Sequence, residues 1–217
     1  MPTLAHHYLL LEVEEGRGTP RSGEPGIRWW GLAGALWGEM QLRGRVIAVK
    51  ADRFALAQGP ISEGALGYAE TCIQGRAARG QAWRLRQIYT YAPRLRKMVL
   101  EELVELGALR KEKDTVLRIP WRTRWPAADG ALEVELVDHM RTWLAGVSNE
   151  DPPDREDLLL GLLRGTGNLE SLWTAAEISQ LKPLIEERTA RAPLGLLVRD
   201  LCRQGADMAP YRKRDPK

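Results

Sequence analysis

Apolar positions early in this chain recur at the three- and four-residue spacing of a helix. Between residues 29 and 42 only Glu39 carries a charge, which predicts a helix that is buried on most of its sides. Glycine is a poor helix former, so glycines inside this stretch indicate that neighbouring helices pack closely against it; they are Gly31, Gly34 and Gly38. Gly44 follows the last apolar position and predicts the end of the helix.

The same order of elements then occurs a second time. After Gly44 the apolar spacing changes to two over residues 46–56, which predicts a short β-hairpin. A second amphipathic helix over residues 95–106 ends at Gly107, and another hairpin is predicted over residues 116–126. Helix, glycine and hairpin therefore form a repeated unit.

The rest of the chain has a helical pattern. Helices are predicted over residues 61–78, 132–144, 157–164, 172–188 and 194–201. With 217 residues, 44% of them hydrophobic, the chain can bury a full core. We therefore expect a mainly α fold, a single helical-bundle domain over residues 1–204 with amphipathic helices around it and one or two short β-hairpins. Residues 205–217 are polar and basic, and we expect them to be a disordered tail.

Charge is distributed unevenly although the net charge is only +3. Every charged residue from Arg76 to Lys97 is basic, whereas acidic residues outnumber basic ones by about three to one over residues 129–187. Dense positive charge suits phosphate groups, on lipid headgroups or on nucleic acid. A solvated face that pairs with the acidic half of the same chain is the alternative interpretation.

Catalytic and metal chemistry find no support in the sequence. Two cysteines, Cys72 and Cys202, cannot build a disulfide framework, which favours a cytoplasmic protein. The three histidines lack metal-ligand spacing, and no serine or cysteine stands near one of them in the sequence. Glycines at 165 and 167 predict a turn between helices, and the acidic cluster at 150–157 predicts helix capping. We expect a protein without catalytic activity, cofactor or metal.

The second hairpin combines tryptophan with arginine. Such pairs suit the boundary of a lipid headgroup layer, where the aromatic ring is half apolar and half hydrated. Exposed aromatic residues also mark surfaces for self-association. We predict membrane contact or oligomerisation for Trp121, Arg122, Arg124 and Trp125.

Four stretches of the chain carry a resemblance to a known family. They are Tyr-Leu-Leu-Leu at 8–11, Gly-Leu-Ala-Gly-Ala-Leu at 31–36 leading to Leu-Arg-Gly-Arg at 42–45, Leu-Val-Glu-Leu-Gly-Ala-Leu at 103–109, and the hairpin at 116–126. Over nearly its whole length the sequence resembles the Golgi phosphoprotein 3 family in its bacterial branch. The resemblance implies a helical domain with a protruding hairpin that binds phosphatidylinositol 4-phosphate peripherally. Eukaryotic members also hold Golgi glycosyltransferases by their cytoplasmic tails.

The resemblance also implies where a lipid headgroup would bind. The family's pocket uses a tryptophan before the first buried helix, an arginine within that helix, and two arginines one turn apart before the Leu-Val-Glu helix. Here Arg96 matches one arginine, Pro93 stands at the other, and Glu24 and Ala33 stand at the tryptophan and first arginine positions. The headgroup-binding residues that we predict are Arg86, Arg94, Arg96, Lys97, Trp29 and Trp30.

We therefore expect a peripheral protein on the cytoplasmic side of an anionic membrane. A winged-helix protein is the alternative, with residues 95–106 as recognition helix and residues 118–124 as wing. Three glutamates on that helix disfavour nucleic acid, because phosphate would repel them: Glu101, Glu102 and Glu105. A scaffold that binds only protein through the acidic half, and a homo-oligomer, both remain open.

Overall fold

The computed structural model describes residues 2–14, 16–21, 24–50, 53–74, 78–116, 119–146 and 154–207. The predicted mainly α fold is confirmed. In these ranges the helices are α1 (Leu4–Glu12), α2 (Pro25–Leu42), α3 (Gly64–Ile73), α4 (Gln81–Thr90), α5 (Ala92–Glu105), α6 (Ala131–Gly146), α7 (Arg155–Thr166), α8 (Leu169–Leu172), α9 (Ala175–Arg191) and α10 (Leu194–Asp207). The strands are β1 (Val46–Lys50), β2 (Arg53–Leu56), β3 (Ala78–Arg79), β4 (Glu112–Val116) and β5 (Ile119–Arg124).

Helix α2 lies at the centre of the fold. It packs against α1, α4, α7 and α10, and its glycines allow the close approach that the sequence predicts. A Cβ on Gly34 would lie 2.6 Å from Leu162 of α7 and 2.8 Å from Val198 of α10. A Cβ on Gly31 would collide with the Tyr8 hydroxyl of α1. The low helix propensity of these glycines is thus offset by packing that a larger residue would prevent.

The end of α2 is tied to its neighbours by two arginines. Gly44 takes a positive φ of 63° and ends the helix, as predicted. On either side of it, Arg43 donates to Glu39 at 2.7 Å and Arg45 donates to Glu70 of α3 at 3.1 Å. The Leu-Arg-Gly-Arg motif is therefore a structural element here, because both arginines pair with buried carboxylates.

The two small sheets follow α2 and α5, as the repeated unit predicts. Strands β1, β2 and β3 form an antiparallel sheet in which Val46 pairs with Leu56 and Phe54 pairs with Ala78. The predicted helix over 61–78 is therefore too long, since α3 ends at Ile73 and its C-cap Gln74 is extended. Strands β4 and β5 form the second hairpin, which begins at Glu112, earlier than predicted, because its first strand is charged rather than alternating.

The second half of the chain is helical, as predicted. Asp154 accepts a hydrogen bond from the Asp157 amide at 3.0 Å and caps α7, which confirms the capping interpretation of the acidic cluster. Gly167 ends α7 with a φ of 71°, which confirms the predicted turn. Helix α10 continues to Asp207, into the predicted tail, and residues 208–217 lie outside the described residues.

Candidate anion-binding site

Helices α4 and α5 meet at a single residue, Tyr91. Its backbone (φ −103°, ψ 6°) lies outside the helical range and changes the direction of the chain between the two helices. Pro93 follows in the first turn of α5, where its missing N–H removes no helical hydrogen bond, as predicted. The Leu95 amide then donates to the Tyr91 carbonyl at 3.0 Å, so α5 begins directly at this junction.

Exposed cations and aromatic rings lie along the two helices, from Trp83 in the first turn of α4 to Lys97 in the second turn of α5. We call this set the outer surface: Trp83, Arg86, Tyr91, Arg94 and Lys97. Trp83 is 50% exposed and Tyr91 is 39% exposed, which is high for such large rings. Among the residues that the structure describes, no carboxylate oxygen lies within 4.0 Å of the three cationic groups. The charges of Arg86 and Arg94 are therefore available to an external anion, whereas Lys97 also attracts Glu101 one turn further along α5.

Aromatic contacts hold Arg94 in place. Its guanidinium carbon lies 4.4 Å from the centroid of the Tyr68 ring, and Tyr68 meets Tyr91 edge to face at 6.1 Å. A cation–π contact restrains a guanidinium but leaves its N–H groups free to donate to an anion. Not every arginine of the basic stretch is available in this way, because Arg84 is buried and donates to the carbonyls of Phe54 and Ile73.

Arg96 points away from the outer surface, into the protein. One of its terminal nitrogens donates to Glu12 of α1 at 3.0 Å, and Nε of Arg28 in α2 lies 4.0 Å from the other Glu12 oxygen. The Glu12 side chain is fully buried. This burial raises the pKa of Glu12 above its ordinary value, although the nearby arginines act in the opposite direction. We call these three residues the inner cluster.

Three aromatic rings lie close to the first turns of α2. Trp30 stacks on Tyr89 of α4 with ring centroids 4.2 Å apart, and Trp29 meets the same ring edge to face at 5.8 Å. Trp30 is buried and Trp29 is half-buried, whereas the predicted role would place both against a headgroup. Burial also raises the pKa of Tyr89, as expected for a phenol within an aromatic group.

Comparison with known families decides the classification. A sequence model of the Golgi phosphoprotein 3 (GPP34) family matches residues 4–204. The chain belongs to the Golgi phosphoprotein 3 family. This family is not known as a family of enzymes. A search of curated proteins finds no match.

Three positions of the Golgi phosphoprotein 3 pattern lack the residue type that the resemblance implies: Glu24, Ala33 and Pro93, the last in the first turn of α5. Ala33 is completely buried in α2, where an arginine would have to displace core side chains. Glu24 is exposed and takes the N-cap position of α2, without a capping hydrogen bond from its side chain. Of the three arginines that the resemblance implies, only Arg96 is present at its position.

The second hairpin contributes less to an exposed surface than the sequence predicts. Trp125 is 7% exposed and packs in the core beneath Lys111, whose ammonium lies 5.1 Å from the ring centroid. Arg124 pairs with Asp114 at 2.8 Å and with Glu112 at 3.4 Å. Trp121 and Arg122 lie on β5, and their side chains are outside the described residues. The hairpin therefore keeps its predicted place but presents neither Trp125 nor an unpaired Arg124.

Sequence reasoning did not identify three residues that shape the candidate site. Glu12 and Arg28 complete the inner cluster, and Tyr68 positions Arg94. One signal for Glu12 is present in the sequence, since it interrupts a run of apolar residues at 8–13. A charge in such a run is buried only with a partner, which indicates an arginine nearby in the fold.

In the part of the chain that the structure describes, no helix is long and apolar enough to cross a membrane, and no cluster of metal-ligating side chains is found.

Proposed function

We propose that the protein binds anionic phospholipid membranes peripherally, through the outer surface. One observation carries this proposal: α4 and α5 carry two exposed aromatic rings and three exposed cations, none of which has a carboxylate oxygen within 4.0 Å among the described residues. Cations attract the headgroup layer, and Trp and Tyr rings are stable at its boundary with the acyl chains. Family membership also supports peripheral membrane binding, because the resemblance implies a peripheral lipid-binding protein.

The strength of the proposed binding follows from the number of cations. A Lys or Arg close to an anionic leaflet contributes about 1 kcal/mol. Arg86, Arg94 and Lys97 together therefore contribute about 3 kcal/mol, enough for reversible docking without a lipid anchor.

Phosphatidylinositol 4-phosphate is the headgroup that the family resemblance indicates. The outer surface supplies exposed cations on two neighbouring helices, and such cations attract the negative charge of any anionic lipid. We therefore expect it to respond to the total negative charge of a membrane, and a test has to compare this lipid with other anionic lipids at equal charge.

The charge along α5 disfavours nucleic acid as the partner. Three glutamates in its second half line an open cavity of about 690 Å³, next to Glu63: Glu101, Glu102 and Glu105. A phosphate backbone laid along this helix would meet the basic first turn and then an acidic wall. A membrane surface can contact the basic junction alone.

Removal of the outer-surface charges tests the proposal. We expect the triple variant Arg86→Gln/Arg94→Gln/Lys97→Gln to bind phosphatidylserine vesicles about 100-fold more weakly than the unmodified protein, because about 3 kcal/mol is lost. Vesicle co-sedimentation measures the affinity. Raising the salt concentration has to weaken the binding of the unmodified protein to these vesicles strongly.

A matched variant separates this surface from net charge. Arg17→Gln/Arg110→Gln/Lys182→Gln removes the same charge from exposed positions on other parts of the chain. We expect its affinity to stay within about threefold of the unmodified protein. Equal weakening in both triple variants, or binding that is insensitive to salt, would contradict a role for the outer surface.

A further inference from the structure

An open cavity of about 410 Å³ lies where several helices begin or end. Its wall is formed by the last turn of α2, the starts of α4 and α7, and the connection from α9 to α10. We call it the α9–α10 cavity. Gln81 in this wall is the first residue of α4, so the cavity lies at the opposite end of that helix from the α4–α5 junction, about 14 Å along its axis. Its volume is in the range of cavities that bind small molecules.

The wall of the α9–α10 cavity combines apolar surface with hydrogen-bond donors. The apolar part includes three leucines, Leu42, Leu158 and Leu194. Amide and guanidinium groups supply the donors, from Gln41, Gln81 and Arg191. Among the described residues that form the wall, Arg191 is the only charged one, and none is a carboxylate. The wall therefore suits a molecule that joins an anionic group to an apolar part.

Arg191 has a nitrogen without a hydrogen-bond acceptor. Its Nη1 atom is buried and makes no hydrogen bond to any residue that the structure describes. Asp157 interacts with Arg191 electrostatically, but this carboxylate pairs with Arg188 at 2.8 Å. A buried donor that lacks an acceptor is unfavourable, and an oxyanion in the cavity would supply one.

We propose that the α9–α10 cavity binds a small organic oxyanion, whose phosphate or carboxylate group accepts hydrogen bonds from Arg191. Hydrogen bonds between a guanidinium and an oxyanion are stronger than those between neutral groups, so Arg191 contributes most of the recognition. The side-chain amides of Gln41 and Gln81 donate to the remaining oxygens, and the apolar part of the molecule lies against the leucines. This site goes beyond the proposed membrane function and shares none of its residues.

Isothermal titration calorimetry with phenyl phosphate tests the proposal. We expect saturable binding with a Kd of about 1 mM or lower, as for a compact ligand of this size. Inorganic phosphate lacks the apolar part and phenol lacks the anionic group, so each has to bind at least about tenfold more weakly. Benzoate in a parallel titration shows which oxyanion the cavity prefers, and saturable binding of either aromatic anion supports the proposal.

Two variants identify the charge that holds the anion. We expect Arg191→Gln to weaken the binding of phenyl phosphate by about tenfold, because the charge-assisted hydrogen bonds are lost. Arg203→Gln removes the same charge from an exposed position on α10 and has to leave the affinity unchanged. The triple variant of the outer surface also has to bind phenyl phosphate normally, which excludes the membrane-binding cations as the site.

A third variant keeps the proposal testable if Arg191→Gln does not fold, which circular dichroism shows. Leu42 is 38% exposed, so Leu42→Trp adds a large ring to the wall without a change of charge. We expect it to weaken the binding of phenyl phosphate by at least about tenfold. Leu106→Trp, at a leucine that is 53% exposed elsewhere, is the control. Absence of saturable binding to the unmodified protein, or equal affinity in the cavity variants and their controls, would overturn the proposed site.

Discussion

Replacement of Arg188 by methionine is expected to lower the free energy of unfolding by about 3 to 5 kcal/mol. Arg188 of α9 lies 2.8 Å from Asp157 of α7, and the two side chains are 3% and 0% exposed. Its guanidinium carbon also lies 4.9 Å from the ring centroid of Trp143 in α6, so one residue joins three helices. Methionine would fill the space but leave the Asp157 carboxylate buried without its cation.

Two comparisons identify the cause of that loss. Burial already raises the pKa of Asp157, although Arg188 opposes the shift. Adding Asp157→Asn to Arg188→Met removes the uncompensated charge and has to restore part of the stability. Arg141→Met breaks partly exposed pairs with Asp138 and Glu177 and has to cost less than about 1 kcal/mol. If chemical denaturation gave a similar loss in the free energy of unfolding for Arg188→Met and Arg141→Met, the buried pair would contribute no more than the partly exposed pairs.

Glu39 is the second residue for which we expect a large effect. Its carboxylate accepts from the Leu4 amide at 2.8 Å, from Arg43 at 2.7 Å and from Arg155 at 2.6 Å, and so connects α2 to the first turns of α1 and α7. We expect Glu39→Gln to lower the free energy of unfolding by about 3 kcal/mol at neutral pH, because charge-assisted hydrogen bonds at a buried site are lost. Glu186→Gln, in an exposed pair with Lys182, is the control.

The effect of Glu39 has a defined pH dependence. Burial acts to raise its pKa, but the hydrogen bonds from Arg155, Leu4 and Arg43 outweigh burial and hold the pKa below the ordinary 4.5. A carboxyl with a lowered folded-state pKa contributes stability that is fully present above its unfolded value and is lost as the pH falls through the folded value. The difference between the unmodified protein and Glu39→Gln therefore has to shrink below about pH 4.5. A difference that stays constant from neutral to acidic pH in denaturant titrations would contradict this origin.

The amphipathic and glycine-bounded elements could be predicted from the sequence, whereas two of the longer helices, α1 and α4, could not. Helix α1 is short and buried around nearly its whole circumference, so it shows no alternation between apolar and polar faces. Helix α4 buries Arg84 and Gln87, which interrupts the apolar stripe that periodicity detects. Both helices depend on tertiary contacts that a local pattern does not contain.

The positive charge of the candidate site could be predicted from the sequence, but the ion pairs that its arginines form could not. Arg94 and Lys97 are exposed because they lie opposite Leu95 and Val99 on the helical wheel. The direction of Arg96 follows from the same wheel, but its partner Glu12 is 84 residues away and only the fold brings them together. The loss of Trp125 to the core likewise depends on Lys111 and on the chain that covers it.

The central claim is that the α4–α5 junction faces the membrane, and an environment-sensitive fluorophore tests it most directly. Thr90 is exposed on the last turn of α4, and Lys182 is exposed on α9. The label would be attached to Thr90→Cys and, in a second protein, to Lys182→Cys, with the unmodified protein labelled in parallel to subtract Cys72 and Cys202. We expect the emission of the Thr90 label to shift to shorter wavelength with anionic vesicles and to stay unchanged with neutral ones, while the Lys182 label responds to neither. A protein that binds anionic vesicles with a shift at Lys182 and none at Thr90 would place the membrane on another face and contradict the proposed function of the junction.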